Sequence, residues 1–329
     1  MIAESRADGR EPPGFRLEWE RCWRKLPDKL LFFALLAAWV LLFQFWGNCT
    51  LGYARTPSLF GWLENMYRSS VDDEHGILIP FVVLFLFWWK RKELLAVPKR
   101  RWWPAAGLLL LALALQILSF MVQQTQISAV AFFVGLYALM GLTWGPQWLR
   151  ASFFPFFLFV FCVPMANLAD RISIPLRLLA THITSVVCRA GLGINVLEEG
   201  TLIFDSHGAY QYEVAAACSG IRSLLATLAL ATIYAFVILK SPWRRLLVIF
   251  SAFPLAVASN VLRLTSIIVS AEAFGQSAGN YVHKNGWLSL LPYAVAMGGI
   301  WLVGRWLRED RTRRPAIEQT VLAGAELNS

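Results

Sequence analysis

Charged residues are scarce in this chain. Asp, Glu, Lys and Arg together account for 16% of its 329 residues, whereas about a quarter is usual for a soluble domain. Hydrophobic residues make up 57%, and fifteen of the residues are tryptophan. This composition excludes an ordinary soluble protein and predicts an all-α, polytopic membrane protein.

Paired cysteines are also missing. The five cysteines are scattered, form no C-x-x-C motif and are odd in number. This pattern argues against a disulfide framework and a structural zinc site, and we expect neither a metal nor a cofactor. The cysteines are Cys22, Cys49, Cys162, Cys188 and Cys218.

Long basic tracts are missing too, although the formal net charge is +9. The basic residues fall instead in short clusters beside apolar segments, as the positive-inside rule predicts for a membrane protein. We therefore expect this charge to face membrane lipid and not nucleic acid.

Apolar segments fill residues 30–306, between a tail at 1–29 and a second tail at 307–329. They predict eight transmembrane helices, although Gly76–Trp89 is shorter than the roughly 20 residues that cross a bilayer. The first segment lacks a small-residue cleavage site, so we expect it to remain as an anchor. The predicted spans are Leu30–Trp46, Gly76–Trp89, Trp102–Val122, Ile127–Trp144, Ala151–Ala166, Cys218–Leu239, Leu246–Ser270 and Trp287–Trp306.

Four segments outside these spans have patterns of their own. Phe15–Leu26 predicts an interfacial helix, and Gly47–His75 predicts a polar loop. Ile172–Leu192 mixes Leu and Ile with Arg and His, which is typical of an amphipathic helix on the membrane surface. Gly200–Val214 has β-branched and aromatic residues around a Ser-His-Gly turn, which predicts a short extracytoplasmic β-hairpin.

The distribution of Lys and Arg predicts the orientation of the chain. In the eight-span arrangement, 22 of the 30 basic residues fall on the side of both termini and six fall on the other side. Because basic loops stay in the cytoplasm, we expect both termini to be cytoplasmic.

The segment Glu213–Leu225 carries the first candidate for chemistry. It reads EVAAACSGIRSLL and places Cys218 in a small-residue turn before a long apolar helix. Free N–H groups and the dipole at a helix N-terminus stabilise a thiolate, so a cysteine at that point is reactive. The alternative is that Cys218 is one more small hydrophobic residue.

Helix rise predicts that two further candidates lie at the depth of Cys218. Counted from Leu239, Cys218 lies roughly 30 Å above the cytoplasmic boundary, and counted from Leu246, Arg263 lies about 25 Å above it. His283 precedes the last span by four residues. The three supply a nucleophile, a cation and a base for acyl transfer. Alternatively, Arg263 is a structural charge bound by backbone carbonyls and His283 is an ordinary loop histidine.

Other polar residues at this level are candidates for binding a substrate. Arg222 lies one turn after Cys218 and either holds an acidic group or extends to the interface. The candidates are Arg222, Asn260, which precedes Arg263 on the same helix face, His75 and His207.

Three of these motifs resemble those of the exosortase/archaeosortase family. Ala217–Ser223, which reads ACSGIRS, is similar to the cysteine motif of that family, and Asn260-Val-Leu-Arg263 is similar to its arginine motif. His283 falls where bacterial exosortases carry their histidine. The likeness runs from about Trp39 to Trp306.

The resemblance implies a cysteine transpeptidase in the bacterial inner membrane, with Cys218, Arg263 and His283 as its catalytic residues. Such enzymes are thought to recognise exported proteins by a C-terminal sorting signal of the PEP-CTERM type. That signal consists of a short motif such as Pro-Glu-Pro, a transmembrane helix and a basic cluster. Cleavage on the extracytoplasmic side would be followed by transfer to an unknown acceptor, or to water.

A protein of a different class would share several of these features. A non-catalytic membrane protein that exports or assembles an envelope polysaccharide would use Arg222 and Arg263 to line an anionic path. This alternative predicts that Cys218→Ser is nearly silent, whereas a cysteine transpeptidase would lose its activity.

Overall fold

The computed structural model describes residues 15–50, 56–69, 73–164, 166–206, 208–213 and 220–308. The chain divides into an N-terminal unit, Met1–Ala166, and a C-terminal unit, Asn167–Ser329. Helices make up nearly all of the regular structure in the described residues, and a small sheet lies in the C-terminal unit. The predominance of helix confirms the predicted all-α class for the described residues, whereas the number of eight spans stays a prediction.

Helices form the N-terminal unit because its apolar segments contain few helix breakers. Pro80 and Pro146 stand in the first turns of their helices, where the missing N–H group costs little. The helices are α1 (Phe15–Lys25), α2 (Lys29–Trp46), α3 (Leu59–Ser69), a 3₁₀ helix (Glu74–Ile77), α4 (Ile79–Trp89), α5 (Arg91–Ala96), α6 (Ala105–Val122), α7 (Thr125–Trp144), α8 (Pro146–Phe157) and a second 3₁₀ helix (Leu158–Cys162).

The C-terminal unit combines five further helices with an antiparallel sheet of order β1-β2-β3. In this sheet Val196 pairs with Asp205, and Leu202 pairs with Glu213. The elements are α9 (Ala166–Val186) with a π turn (Val187–Gly191), β1 (Val196–Glu199), β2 (Leu202–Asp205), β3 (Gln211–Glu213), α10 (Gly220–Ile238), α11 (Pro242–Phe274), α12 (Gln276–Lys284) and α13 (Gly286–Trp306).

Large aromatic side chains form the core of the N-terminal unit. Trp39 of α2 packs on Gly135 of α7, where a Cβ atom would overlap the indole ring, and its Nε1 donates a hydrogen bond to the carbonyl of Phe132 at 3.0 Å. The rings of Phe32 and Trp144 lie 4.4 Å apart between the same two helices. These contacts hold α2 against α7.

Small residues form the helix contacts of the C-terminal unit. Ala231 and Ala235 of α10 are fully buried in one cluster with Val248 and Ala252 of α11 and Ile300 of α13. Small side chains let helix backbones approach closely, which is the usual basis of helix association in a membrane. A second cluster joins the sheet to the last turns of α11.

Four described helices are long and apolar enough to cross a membrane. They are Lys29–Trp46, Ala105–Val122, Thr125–Trp144 and Pro242–Phe274. Two shorter apolar helical segments, Glu74–Trp89 and Leu224–Ile238, overlap the predicted spans Gly76–Trp89 and Cys218–Leu239.

The prediction of a polar loop over Gly47–His75 was wrong, because α3 lies within this segment and a 3₁₀ helix begins at its end, at Glu74. Leu59 and Leu63 stand one turn apart on α3 and are both buried in the aromatic core. These two leucines give the polar segment an apolar face, and that face folds it into a helix.

The hairpin predicted over Gly200–Val214 is two strands of a three-stranded sheet. Strand β1 is the third strand, and its Val196 is buried in one cluster with Ile203 of β2. Strand β1 was not predicted from the sequence because its four residues are too few to show an alternating pattern. No helix was predicted in the segment before the last span, but Gln276–Lys284 forms α12. The predicted fifth span begins earlier, at Pro146, and tightens into a 3₁₀ helix at Leu158.

Candidate active site

The predicted site residues are distributed over both units. Arg263 and Asn260 lie on α11, His283 lies on α12, and His75 lies in the first 3₁₀ helix of the N-terminal unit. Cys218 and His207 lie outside the described residues, as does the side chain of Arg222 on α10.

Gly275 reverses the chain between α11 and α12. Its φ of 83° lies in the left-handed region that favours glycine, and its N–H closes α11 on the carbonyl of Ala271 at 2.8 Å. A Cβ at Gly279 would lie 2.9 Å from the Cβ of Ala271, so the two helices touch at positions equally far from the turn.

The same register sets the level of His283 relative to Arg263. If the pairing of Ala271 with Gly279 continues by one turn, His283 lies opposite Ile267. Val282 packs in the buried cluster that contains Ile267, which agrees with this register. Arg263 is one turn below Ile267 on α11, or about 6 Å along the helix axis.

The contacts of α13 set the level at which α10 begins. A Cβ at Gly299 would overlap Leu255 of α11, and a Cβ at Gly304 would overlap the ring of Tyr234 of α10. Arg244 of α11 donates from Nη1 to the carbonyl of Leu307 at 3.1 Å. These pairings fix how α10 and α11 align with α13.

Counting along the helices from those pairings gives one shared level. By this count Gly220, the first residue of α10, lies at the level of positions 288–291, in the first turns of α13. Arg263 of α11 lies at the same level. The start of α10, Arg263 and His283 therefore lie within about one or two helical turns of each other along the helix axes.

Arg263 is half-buried, and the neighbouring Asn260 and Ser259 are buried at 7% and 2% exposure. The described residues offer Arg263 no hydrogen bond or ion pair. A guanidinium this far along an apolar helix is costly and is retained mostly for function. It is available for a negatively charged group of a substrate or an intermediate.

Two tyrosines of the sheet bind the turn between α11 and α12, and sequence reasoning missed them. Tyr210 Oη donates to Glu272 Oε2 at 3.0 Å, and Tyr212 Oη donates to the carbonyl of Gln276 at 3.2 Å. Burial, and then the hydrogen bond to Glu272, raises the pKa of Tyr210, while burial raises the pKa of Tyr212. The Tyr-Gln-Tyr spacing, which puts both rings on one strand face, was the available signal.

The cysteines in the described part of the chain are poorly accessible. Cys49, Cys162 and Cys188 are buried at 2% exposure or less, and Cys22 on α1 is half-buried. Burial also raises the pKa of Cys188, which makes its thiol still less reactive. Within the described ranges, moreover, no group of three His, Cys, Asp or Glu side chains is placed to hold a metal ion.

Comparison with known proteins identifies the family. No curated protein and no solved structure matches the chain. The model of the transmembrane exosortase family matches residues 62–302, which include Cys218, Arg263 and His283. Because this match covers more than two thirds of the sequence, the chain belongs to the transmembrane exosortase family.

Proposed function

We propose that this protein is a membrane-embedded cysteine transpeptidase that cleaves C-terminal sorting signals of the PEP-CTERM type from exported proteins. One observation carries the proposal: Arg263, His283 and the start of α10 share one level of the C-terminal unit. Cys218 precedes the first residue of α10 by two positions. In this proposal the three segments supply a nucleophile, a base and a cation to one site.

The proposed reaction has two acyl-transfer steps. The thiolate of Cys218 attacks the scissile carbonyl, and Arg263 stabilises the oxyanion of the tetrahedral intermediate. When the intermediate collapses to a thioester, the amine leaves with a proton from His283. His283 then takes a proton from the acceptor, which attacks the thioester and releases Cys218.

We place this site on the extracytoplasmic side of an eight-span protein in the bacterial inner membrane. Arg263 lies 21 residues beyond Pro242, about 31 Å along α11, which matches the thickness of the bilayer core. The opposite end of the C-terminal unit is basic, since Lys240, Arg244, Arg245 and Arg305 lie there. Under the positive-inside rule that end is cytoplasmic, as are both termini.

An apolar groove between α9 and α11 supports lateral access of the substrate from the bilayer. Its volume is about 670 Å³, and Leu179 and Ile183 of α9 face Val257 and Val261 of α11 across it. The groove follows α11 as far as Thr265, two residues beyond Arg263. The hydrophobic helix of a sorting signal would lie in this groove with its cleavage site near Arg263. We assign Arg222 and Asn260 to binding the polar part of the signal, and binding by His75 of the N-terminal unit stays a prediction from the sequence.

Co-expression with a tagged substrate tests the proposal. We expect Cys218→Ala to abolish removal of the C-terminal signal, whereas Cys22→Ala on α1 leaves it unchanged. Mass spectrometry of the mature C-terminus separates transfer, which adds the mass of an acceptor, from hydrolysis. Signal removal at the normal rate in Cys218→Ala would overturn the proposal and favour a non-catalytic export protein.

A further inference from the structure

The sheet and the turn after α11 are joined by two buried tyrosines, Tyr212 of β3 and Tyr210 directly before that strand. Tyr210 and Tyr212 are 2% and 9% exposed, and their rings lie 5.9 Å apart. Tyr210 holds the side chain of Glu272, and Tyr212 holds the backbone carbonyl of Gln276. Strand β3 is therefore tied to both sides of the reversal at Gly275.

Gly279 is the position on α12 that makes room for Tyr212. A Cβ at Gly279 would overlap the hydroxyl of Tyr212 on one side and press on Ala271 on the other. Gly279 and His283 are four residues apart on α12, so they lie on the same face of the helix. The tyrosine thus contacts α12 one turn before the candidate base.

Tyr212 is also close in sequence to the candidate nucleophile. It precedes Cys218 by six positions, and β3 ends at Glu213. The distance between the nucleophile and its base is critical for acyl transfer, because a misplacement of about 1 Å can cost on the order of 100-fold in rate. A contact that fixes β3 against α12 would limit where the segment that leads to Cys218 starts relative to the helix that carries His283.

We propose that Tyr212 and Gly279 are positioning residues that set the segment carrying Cys218 against the helix carrying His283. Tyr210 and Glu272 support the same contact from α11. This inference rests on the proposed function, since it gives Cys218 and His283 their roles. It adds that the reactivity of the thiol depends on how the Tyr212 side chain fits against Gly279 of the neighbouring helix.

A second glycine that also packs against a tyrosine provides a control, which distinguishes an effect on positioning from a loss of stability. Gly304 of α13 packs against the ring of Tyr234 in the same unit, and a Cβ there would overlap that ring as well. Each of the substitutions Gly279→Ala and Gly304→Ala therefore adds a methyl group that overlaps a tyrosine side chain. Gly304 lies near the basic end of its unit, far along α13 from the level of Arg263.

The experiment measures alkylation of Cys218 by iodoacetamide as a function of pH, on the full-length protein in liposomes with Cys22→Ser as background. We expect Gly279→Ala to slow alkylation at pH 7 at least tenfold and to raise the apparent pKa of the thiol. Gly304→Ala, at a similar loss of thermal stability, should stay within twofold of the parent. Tyr212→Phe, which removes only the hydroxyl, should slow alkylation severalfold and should partly restore the rate in the Gly279→Ala background.

An unchanged rate and pH profile in Gly279→Ala, or in Tyr212→Phe if the glycine variant does not fold, overturns the inference. So does an equal effect of Gly304→Ala. Failure of the proposed function looks different, because Cys218 of the parent protein would then titrate as an ordinary thiol, or Cys218→Ala would still process substrate.

Discussion

The two units bury different kinds of residue. The core of the N-terminal unit is built from large rings such as Trp39, Phe43 and Trp144, whereas the helix contacts of the C-terminal unit are built from residues such as Ala231 and Ala252. Interlocked rings fix a rigid scaffold, because they bury a large area and tolerate little change in volume. Small residues allow helices to approach closely and leave space for polar side chains between them.

The polar residues of the two units differ in the same way. In the N-terminal unit they bind the backbone where α2 ends: Gln116 Nε2 donates to the carbonyl of Trp46 at 2.7 Å, and Ser128 Oγ donates to the carbonyl of Gly47 at 2.6 Å. In the C-terminal unit Tyr212 also binds the backbone, at Gln276, but Arg263 is half-buried without such a partner among the described residues. A polar side chain that binds the backbone has a structural role, whereas one that has no such bond is a candidate for binding substrate or for catalysis.

The largest expected effect tests the scaffold. Trp39→Ala leaves a cavity against Gly135 and removes the hydrogen bond to Phe132, so we expect it to cost about 3–5 kcal/mol of stability. Activity per folded molecule should not change. Thermal unfolding in detergent and substrate processing measure the two quantities, with Trp103→Ala, 75% exposed, as the control. A loss of rate without a loss of stability would contradict the division between the units.

The second prediction tests the proposed oxyanion partner. We expect Arg263→Gln to reduce the rate of signal removal by about 10²–10³-fold, as is typical when one stabilising group is lost. Thermal stability should be nearly unchanged, since the described residues form no bond to the guanidinium. Arg305→Gln is the control, because Arg305 stacks on Trp301 at the opposite end of the unit. Equal effects of the two substitutions would argue against a special role for Arg263.

The third prediction tests the buried polar network. Ser128→Ala removes the donor to the carbonyl of Gly47, and an unsatisfied buried group costs about 1–3 kcal/mol. The apparent melting temperature should fall while the specific rate stays the same. Ser266→Ala, an exposed serine that binds its own helix, should have no measurable effect. If instead the rate falls, the network also serves the site.

The elements predicted from sequence are those that a single segment specifies by itself. Apolar length was enough for α2, α6 and α7. The membrane depth that helix rise from Leu246 gives to Arg263 stays a prediction, and the packing of α13 sets only the level of Arg263 relative to that helix. Elements that depend on distant partners were missed. Helix α3 buries two leucines in the aromatic core, and α12 packs through Gly279 against Tyr212 of the sheet. The catalytic roles remain predictions.

The smallest expected effect concerns pH and the edge of the sheet. His182 Nδ1 lies 2.9 Å from Glu198 Oε1, and this hydrogen bond is the main reason why the pKa of Glu198 lies below its usual 4.5. A depressed carboxyl pKa stabilises the fold above about pH 5, and that contribution is lost as the pH falls through the folded-state value. The pair is partly exposed, so we expect less than about 1 kcal/mol.

Melting curves of the parent and Glu198→Gln between pH 7 and pH 3 test this pair. The parent should melt slightly higher near neutral pH, and the two curves should converge in acid. Glu64→Gln breaks an exposed ion pair with Arg68 in the N-terminal unit and serves as the control. In a His182→Ala background the effect of Glu198→Gln should shrink, because the principal cause of the low pKa is gone. A difference that instead grows towards pH 3 would reverse the sign and show that the protonated carboxyl is the form the sheet prefers.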